Sequence, residues 1–423
     1  MNRKKRKVRI RKKPTSVKKE NIYVKSNGGL KRRLLRGVPF LLLMLLFVFV
    51  FNRAGLLSNL QTTILDTQMR LDAPLQKSPV VIVNINQQDF ADFFNGQSRP
   101  LNPARLQELV TAISKGNPCV IGVDIDTSFS QFKEKDFEVR SDWSNIVWVR
   151  ETEDVPRSIN EAPVPLNVLG GRPDFESHSG LALLIQDPSG ITRRYKRLIE
   201  TTSGPLPSFA WAVFQQSRKC SGIVFPELPE KVNSKPLLIK YSRPEGVGRD
   251  IFAASHIVHS AEDPNWPDNN LIKNKIVLIG GTYLGEDRHA TPLGELSGVE
   301  INANVIETEL RGGGSESPGF LPVALLSLFD GLLVIGLFHI FPWRQALLFS
   351  VPAIIVLSLL CSLLTFWSLA QWPLFALVMI GVMLAEAVDS LKGHYGQNLK
   401  ELYLRITRQS IRNKNSSSTR NHP

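Results

Sequence analysis

The stretch that most constrains the fold runs from Lys275 to Leu310, KIVLIGGTYLGEDRHATPLGELSGVEINANVIETEL. A short apolar run that closes on a glycine pair, Ile276 to Gly280, is typical of a buried strand. A polar loop follows, and residues 298–310 carry apolar side chains near helical spacing before Gly312 to Gly314 end the helix. The stretch therefore predicts a strand, a loop and a helix, which form half of a βαβ unit, and ligands bind near such loops.

Predicted strands and helices alternate through the rest of the central region. The predicted strands cover residues 79–86, 119–126, 145–150 and 236–241, and the predicted helices cover residues 61–71, 103–116, 209–216 and 251–260. Segments 181–187 and 191–199, joined by a DPSG turn, predict a β-hairpin. Strands that alternate with helices favour parallel neighbours joined by right-handed crossovers. We therefore expect an α/β domain with a mainly parallel sheet and an antiparallel hairpin.

Charge is distributed unevenly along the chain. Residues 1–36 hold 16 of the 51 lysines and arginines, and residues 389–423 hold 7, which leaves 28 basic against 35 acidic residues between them. The formal net charge of +13 therefore belongs to the two ends. Basic ends of this kind can keep a segment in the cytoplasm beside a membrane span, attract anionic lipid or contact nucleic acid. The N-terminal end has one aromatic residue and no nucleic-acid-reading fold, which disfavours nucleic acid as a partner.

Four apolar segments predict transmembrane helices beside the α/β domain. The predicted spans are residues 37–57, 319–341, 346–366 and 371–388, which leaves basic tails at 1–36 and 389–423 and an extracytoplasmic domain at 58–318. The basic ends predict that both termini lie in the cytoplasm of a multi-pass protein of the cell (inner, cytoplasmic) membrane, so the lipid bilayer is an expected partner.

One acidic residue, Asp330, falls inside the second predicted span. An ionisable side chain at that depth needs a partner, and the candidates are the hydroxyls of Ser358 or Ser362, or Asp330 of a second copy. The sequence thus leaves a homo-oligomer open and predicts an intramembrane polar contact at Asp330.

Polar side chains stand where three predicted strands end, at Asn84, Asn86, Asp124, Asp126 and Thr282. Alternation with period two places the two asparagines on one face of their strand and the two aspartates on one face of theirs. If these strands are parallel neighbours, the side chains converge at the carboxyl edge of the sheet, where open α/β sheets bind ligands. We interpret them as candidate ligand-binding residues for a small polar molecule or an ion.

The loop after the Ile276 strand completes this candidate site with Asp287, Arg288 and Thr291. Arg288 could clamp a carboxylate or phosphate. A structural interpretation stands beside the functional one: Asp126 would cap a turn, and Asp287 would satisfy N–H groups of its own loop and pair with Arg288. The residues alone do not decide between the two.

The sequence gives little support for a metal site, a cofactor or a catalytic site. The sequence has three cysteines, Cys119, Cys220 and Cys361, and no two of them form a CxxC motif. They leave two interpretations open: a Cys119–Cys220 disulfide, or unpaired cysteines that are buried as apolar residues. His256 and His259, with Asp263, could share a helix face, but the helix ends near Pro264 and we predict no metal site. No Walker, kinase or HExxH motif occurs, so we predict no enzyme activity and no cofactor.

The residues around Asp287 also carry a family resemblance. IVLIGGTYLGEDRHATPLGELSGVEINAN resembles the closing signature of CHASE2 domains, the extracytoplasmic sensory modules of bacterial transmembrane receptors. The D-x-x-x-T-P element stands at Asp287, Thr291 and Pro292, and G-V-E-I-x-A-N stands at Gly298 to Asn304. Upstream, VVIVNINQQDF and VIGVDIDTSF extend the resemblance over roughly residues 60–315.

The resemblance implies a sensor for an unknown envelope or environmental ligand. Receptors of this family usually continue into a cytoplasmic output domain, whereas 35 residues follow the last predicted span here. We therefore expect a separate cytoplasmic signalling protein to receive the signal. The alternative is a structural or scaffold protein of the envelope that has no signalling output.

Overall fold

The computed structural model describes most of the central region of the chain. The described residues are 58–71, 78–133, 137–140, 143–153, 162–227, 232, 234–242, 249–266, 271–285, 287–316 and 320–341, with a few isolated positions before residue 51 and after residue 344. The α/β domain belongs to a compact unit that contains Phe47–Ser327, and Leu328–Val351 belongs to a second unit.

Thirteen strands and six α-helices follow one another along the described residues. The strands are β1 Val80–Ile85, β2 Val120–Asp124, β3 Ile146–Arg150, β4 Ser179–Leu181, β5 Ile185–Gln186, β6 Thr192–Tyr195, β7 Leu198–Thr201, β8 Gly204–Pro207, β9 Leu237–Leu238, β10 Asp250–Ala253, β11 Ile276–Gly281, β12 Arg288–Thr291 and β13 Gly294–Ser297. The helices are α1 Ser58–Leu71, α2 Pro103–Lys115, α3 Phe209–Ser217, α4 Ala254–Ser260, α5 Gly298–Leu310 and α6 Phe320–Ile340.

The central sheet has six parallel strands in the order β10–β1–β11–β2–β3–β4. Its middle strands are near-continuous apolar runs such as VVIVNI and IVLIGG, and they are buried on both faces. Runs of this kind are typical of parallel strands that helices cover on both sides. The predicted α/β domain with a mainly parallel sheet is therefore confirmed.

Three smaller antiparallel sheets accompany the central one: β5–β6–β9, β7–β8 and β12–β13. The predicted hairpin around the DPSG turn is present as β5 and β6, where Ile185 pairs with Arg194. The loop predicted after β11 is more ordered than expected, because β12 and β13 form a hairpin within it.

Each face of the central sheet has its own apolar core. Val81, Val83 and Ile121 point to the face covered by α2 and α4, whereas Val80, Ile82 and Leu278 point to the face covered by α1, α3 and α5. This division follows from the alternation of side chains along each strand. The candidate site residues Asn84 and Asp124 point to the same side of the sheet as Val80 and Ile82, so they lie on the α5 face.

Helix α5 approaches the sheet closely at a glycine. A Cβ atom placed on Gly280 would lie 2.4 Å from the Cβ of Val299, so only a residue without a side chain permits this contact. At the start of α5, the Glu300 carboxylate accepts a hydrogen bond from the Ser297 backbone N–H at 2.8 Å, as in a capping box. Both features fix the start of α5 beside the ends of β1, β11 and β2.

Two predicted elements differ from the structure. The predicted helix 251–260 begins as strand β10, where Ile251 pairs with Ile82 of β1, and becomes helical only at Ala254. The predicted strand 236–241 is reduced to Leu237–Leu238. Short apolar segments fit both helical and strand periodicity, and pairing with a distant strand decides between them.

The prediction of four transmembrane helices is wrong for the described residues. No helix among them is long and apolar enough to cross a membrane, and the same finding contradicts the predicted multi-pass localisation in the cell membrane. An apolar segment spans a membrane only if it forms one helix that is both long and apolar enough, and a sequence pattern does not establish that.

The predicted spans differ in how much of them the structure describes. Segment 319–341 contains α6, and Asp330 lies within that helix. Most of segments 37–57, 346–366 and 371–388, with Ser358 and Ser362, and both basic tails lie outside the described residues.

Candidate functional site

Strand register brings the first polar residues together. Asn84 of β1, Gly280 of β11 and Asp124 of β2 stand side by side across three neighbouring strands. The Thr282 hydroxyl donates to Asn84 Oδ1 at 3.0 Å. The Asn302 side-chain amide, from the second turn of α5, donates to Asp124 Oδ2 at 2.9 Å. The carboxyl edge of the sheet and the start of α5 are therefore joined by side-chain hydrogen bonds.

Asp287 holds the first residue of α5. Its Oδ2 accepts a hydrogen bond from the Gly298 backbone N–H at 2.9 Å, and its Oδ1 lies 2.8 Å from His289 Nε2. A Cβ on Gly298 would lie 2.4 Å from that Oδ2, so glycine leaves the room that the carboxylate occupies. A negative charge at a helix N-terminus is stabilised by the helix dipole.

Four other predicted site residues make local contacts. Asp126 Oδ1 accepts from the Ser128 backbone N–H at 2.9 Å, and Asn86 Oδ1 accepts from the Asp89 N–H at 2.9 Å. Thr291 is buried in the β12–β13 turn, where its hydroxyl donates to the Gly294 carbonyl at 2.6 Å. Arg288 is exposed and lies 4.0 Å from Glu295. Asn86, Asp126, Arg288 and Thr291 therefore make local contacts within their own segments.

Sequence reasoning missed two residues at this edge. Glu151 directly follows β3, and its parity with Val147 and Val149 places it on the α5 face. Asn302 is buried, with 6% of its surface exposed, and bonds Asp124. A signal for Glu151 was available, since it is the first polar residue after a predicted strand. Asn302 could be found only once α5 was placed over the strand ends.

The carboxylates of this edge influence one another. Burial, followed by the charge of Asp287 and to a lesser extent that of Glu151, raises the pKa of Asp124 to about 8 against the opposing effect of the Asn302 hydrogen bond. Burial, followed by the charges of Asp126 and Asp287, raises the pKa of Glu151 to about 7. We call Asp124, Asp126, Glu151 and Asp287 the acidic edge. It favours a bound proton, a cation or a hydrogen-bond donor over an anion.

The free energy of unfolding is expected to fall as pH rises from about 4 to about 8, by up to about 1.4 kcal/mol per pH unit for one group. Asp124 ionises near 3.8 in the unfolded chain but near 8 in the folded protein, so the folded state binds more protons in this window. Asp124→Asn should flatten the slope measured by urea unfolding at pH 5, 6, 7 and 8. Glu108→Gln, on the exposed face of α2, is the control. An Asp124→Asn slope equal to that of the parent would contradict the raised pKa of Asp124.

The described residues do not converge into a metal site. Within them no three His, Cys, Asp or Glu side chains are placed to hold a metal ion. His256 stacks on Phe252 with ring centroids 5.9 Å apart, and His259 Nδ1 lies 3.4 Å from Glu262. These contacts give both histidines local partners on their own short segment.

The fold is an α/β domain whose mainly parallel sheet carries polar side chains at its carboxyl edge, the place where ligands bind in open sheets of this kind. Comparison with known families is consistent with this class, since the CHASE2 domain matches residues 41–340. The chain belongs to the CHASE2 domain family, a family of sensory extracellular domains, which confirms the resemblance. No curated protein and no solved structure matches the chain.

Proposed function

We propose that the chain is a non-enzymatic sensory protein that binds a small ligand at its acidic edge and passes the response to a separate signalling protein. The observation that carries this proposal is the set of carboxylates from three chain segments, the end of β2, the end of β3 and the loop before β12, that influence one another near the start of α5. Two of them have pKa values raised to about 7 and 8, so their ionised forms are poorly stabilised without a partner. A small molecule with a positive charge or several hydrogen-bond donors would supply that partner.

Helix α5 supplies the element that can respond. Its first residue is bonded to Asp287, and its second turn is bonded to Asp124 through Asn302. Its last turn carries Glu309, which is bonded to Arg197 and Tyr195. A ligand that withdraws Asp124 or Asp287 from these bonds changes how α5 is held against the sheet. A change of this kind at one end of a packed helix can reach the other end.

Helix α1 is a second element that is bonded to the interior of the domain. Arg193 of β6 donates to Asp66 of α1 through Nε at 2.6 Å and through Nη2 at 2.8 Å, and 1% of the Arg193 side chain is exposed. Leu65 and Met69 of α1 pack into the same core as α5. In this proposal a partner protein reads the position of α1, the end of α5, or both.

The ligand proposal is tested with a defined probe. We expect 1,4-diaminobutane, a small dication, to raise the melting temperature of the full chain at pH 8 with a saturable dose dependence. A probe present at 100 times its Kd would add about 2.7 kcal/mol of stability. Succinate, an anion of the same chain length, should have no effect.

The matched variants for this experiment are Asp124→Asn and Glu108→Gln. Asp124→Asn should remove the stabilisation by the diamine, whereas Glu108→Gln on the exposed face of α2 should retain it. Equal stabilisation of the parent and Asp124→Asn, or no stabilisation of the parent, would contradict binding at the acidic edge. If the domain is instead a scaffold without signalling output, crosslinking would capture the same partners with and without the acidic-edge residues.

A further inference from the structure

We infer that the Cys119–Cys220 disulfide is a redox-sensitive switch that a thiol reaches through the cavity beside it. The two cysteines lie 101 residues apart in the chain, and their Cα atoms are 5.7 Å apart. Cys119 immediately precedes β2, and Cys220 follows the end of α3 by three residues. The disulfide therefore joins the amino end of a central strand to the end of a covering helix. This inference does not depend on the ligand proposed for the acidic edge.

The disulfide is accessible. A cavity of about 420 Å³ has both cysteines in its wall, and its other lining residues are Ser144, Asn145, His178, Gln216, Lys219, Ser221 and Asn274. Both cysteines are half-buried, and the neighbours of Cys220 on either side, Lys219 and Ser221, are exposed. Access to the sulfur is one of the conditions that decide whether a thiol can reduce a disulfide. The polar lining suits a peptide-like thiol, which offers amide and carboxylate groups to bind.

The cavity also favours the approach of a thiolate. The Lys219 ammonium lies 2.8 Å from Gln216 Oε1, which holds one positive charge at the wall of the cavity. A thiolate carries one negative charge, so it is attracted to this wall. We expect the thiolate to attack Cys220, because the residues on both sides of that cysteine are exposed.

The proposed chemistry is thiol–disulfide exchange with glutathione or a dithiol as the reductant. The incoming thiolate forms a bond to Cys220 Sγ, and the bond to Cys119 Sγ breaks, so that Cys119 leaves as a thiolate and takes up a proton. A second thiolate then attacks the reductant's sulfur in the mixed disulfide and releases the Cys220 thiolate. The protein disulfide gains two electrons, and two thiols of the reductant become one disulfide.

Opening this bond would release a lightly held segment. Residues 221–227 form no helix or strand, and Val224 within them is 90% exposed. Ile223 packs at the edge of a core, and the Phe225 ring lies 6.0 Å from that of Phe214 on α3. Segments with few buried contacts open at low free energy. The core beneath α3 does not depend on the disulfide, since Trp211, Val213 and Phe214 are fully buried.

The released segment follows α3, and α3 borders the sensory elements. α3 packs against β2, β3, β4 and α5, so its position bears on the strand that carries Asp124 and on the helix that carries Asn302. Disulfides form and persist in oxidising compartments. The state of the Cys119–Cys220 bond would therefore report whether reductant is present around the domain.

The test uses the full chain with Cys361→Ser, so that only two cysteines can react. The protein is equilibrated in buffers of defined reduced-to-oxidised glutathione ratio, free thiols are trapped with a maleimide and counted by mass, and hydrogen exchange of residues 209–227 is measured. We expect two thiols to appear together in the folded protein, and exchange in this segment to become about tenfold faster on reduction. Oxidised glutathione should restore the slow exchange.

The Cys119→Ser/Cys220→Ser variant in the same background is the matched control. Its exchange in residues 209–227 should equal that of the reduced protein in every buffer. Thiols that become reactive only after denaturant unfolds the protein would overturn the inference, and so would reduction that leaves exchange of the segment unchanged. The glutathione titration of the parent decides the matter even if this variant does not fold.

Discussion

Glu309→Leu is expected to lower the free energy of unfolding by about 3 to 5 kcal/mol, the largest effect of any single change considered for this protein. Glu309 is fully buried and accepts hydrogen bonds from Arg197 Nε at 2.7 Å and Nη2 at 2.8 Å, and a third from the Tyr195 hydroxyl. Removing the carboxylate leaves the Arg197 charge buried without its counter-ion. That uncompensated charge, together with the loss of Tyr195's acceptor, causes the destabilisation.

The Arg197 environment strengthens this expectation. Only 9% of its side chain is exposed, and its guanidinium lies 4.7 Å from the ring centroid of Trp211. Water can therefore do little to solvate the charge once Glu309 is gone. The measurement is urea unfolding of the parent and Glu309→Leu at one pH.

The matched control removes an ion pair that is exposed. Glu108 lies 2.6 Å from Arg105 on α2, with 43% of each side chain exposed. Glu108→Leu should cost less than about 1 kcal/mol, since surface ion pairs contribute little. A Glu309→Leu cost as small as the Glu108→Leu cost would show that the Glu309 network does not hold the end of α5.

Gly280→Ala is expected to lower the free energy of unfolding by about 1 to 3 kcal/mol. The added Cβ would lie 2.4 Å from the Val299 Cβ, so α5 must move away from the sheet. Gly280 stands between Asn84 and Asp124 in the register, so the same movement pulls Asn302 away from Asp124. The variant should therefore lose stability and alter the acidic edge together.

A double variant separates this clash from a general loss of packing. Val299→Gly alone leaves a cavity, but with Gly280→Ala it removes the Cβ atom that the new methyl group would meet. The costs of the two single changes should therefore exceed the cost of the double variant by more than about 0.5 kcal/mol, measured by urea unfolding. Costs that simply add would contradict the close contact between Gly280 and Val299.

Local patterns predicted the core of this fold well. Residues 275–310 predicted a strand and a helix, and α5 has the predicted bounds because glycines close β11 and follow α5. Periodicity also placed β1, β2, β3, α2 and α3, because apolar runs and capping residues are local signals. The pairing of β10 with β1 could not be predicted, because the interactions that make Ile251 a strand residue come from a distant part of the chain.

The candidate site was predictable only in part. Alternation along two strands placed Asn84 and Asp124 on one face, but the partner of Asp124 comes from a helix 178 residues later. Glu309 is a further case, since an acidic residue in the last turn of a helix opposes the helix dipole and would be predicted to face solvent. Its partners Arg197 and Tyr195 are more than 100 residues away, and their pairing depends on tertiary packing.

The most direct test of the acidic edge is a carbon-13 NMR titration of the Asp124 carboxyl group, with and without 1,4-diaminobutane. The arrangement of Asp124 beside Asn302, Glu151 and Asp287 predicts a midpoint at about pH 8 in the free protein. Bound diamine should lower that midpoint, because a nearby positive charge favours the carboxylate. A midpoint near the ordinary value of 3.8, or one that the diamine leaves unchanged, would contradict the proposed sensory site.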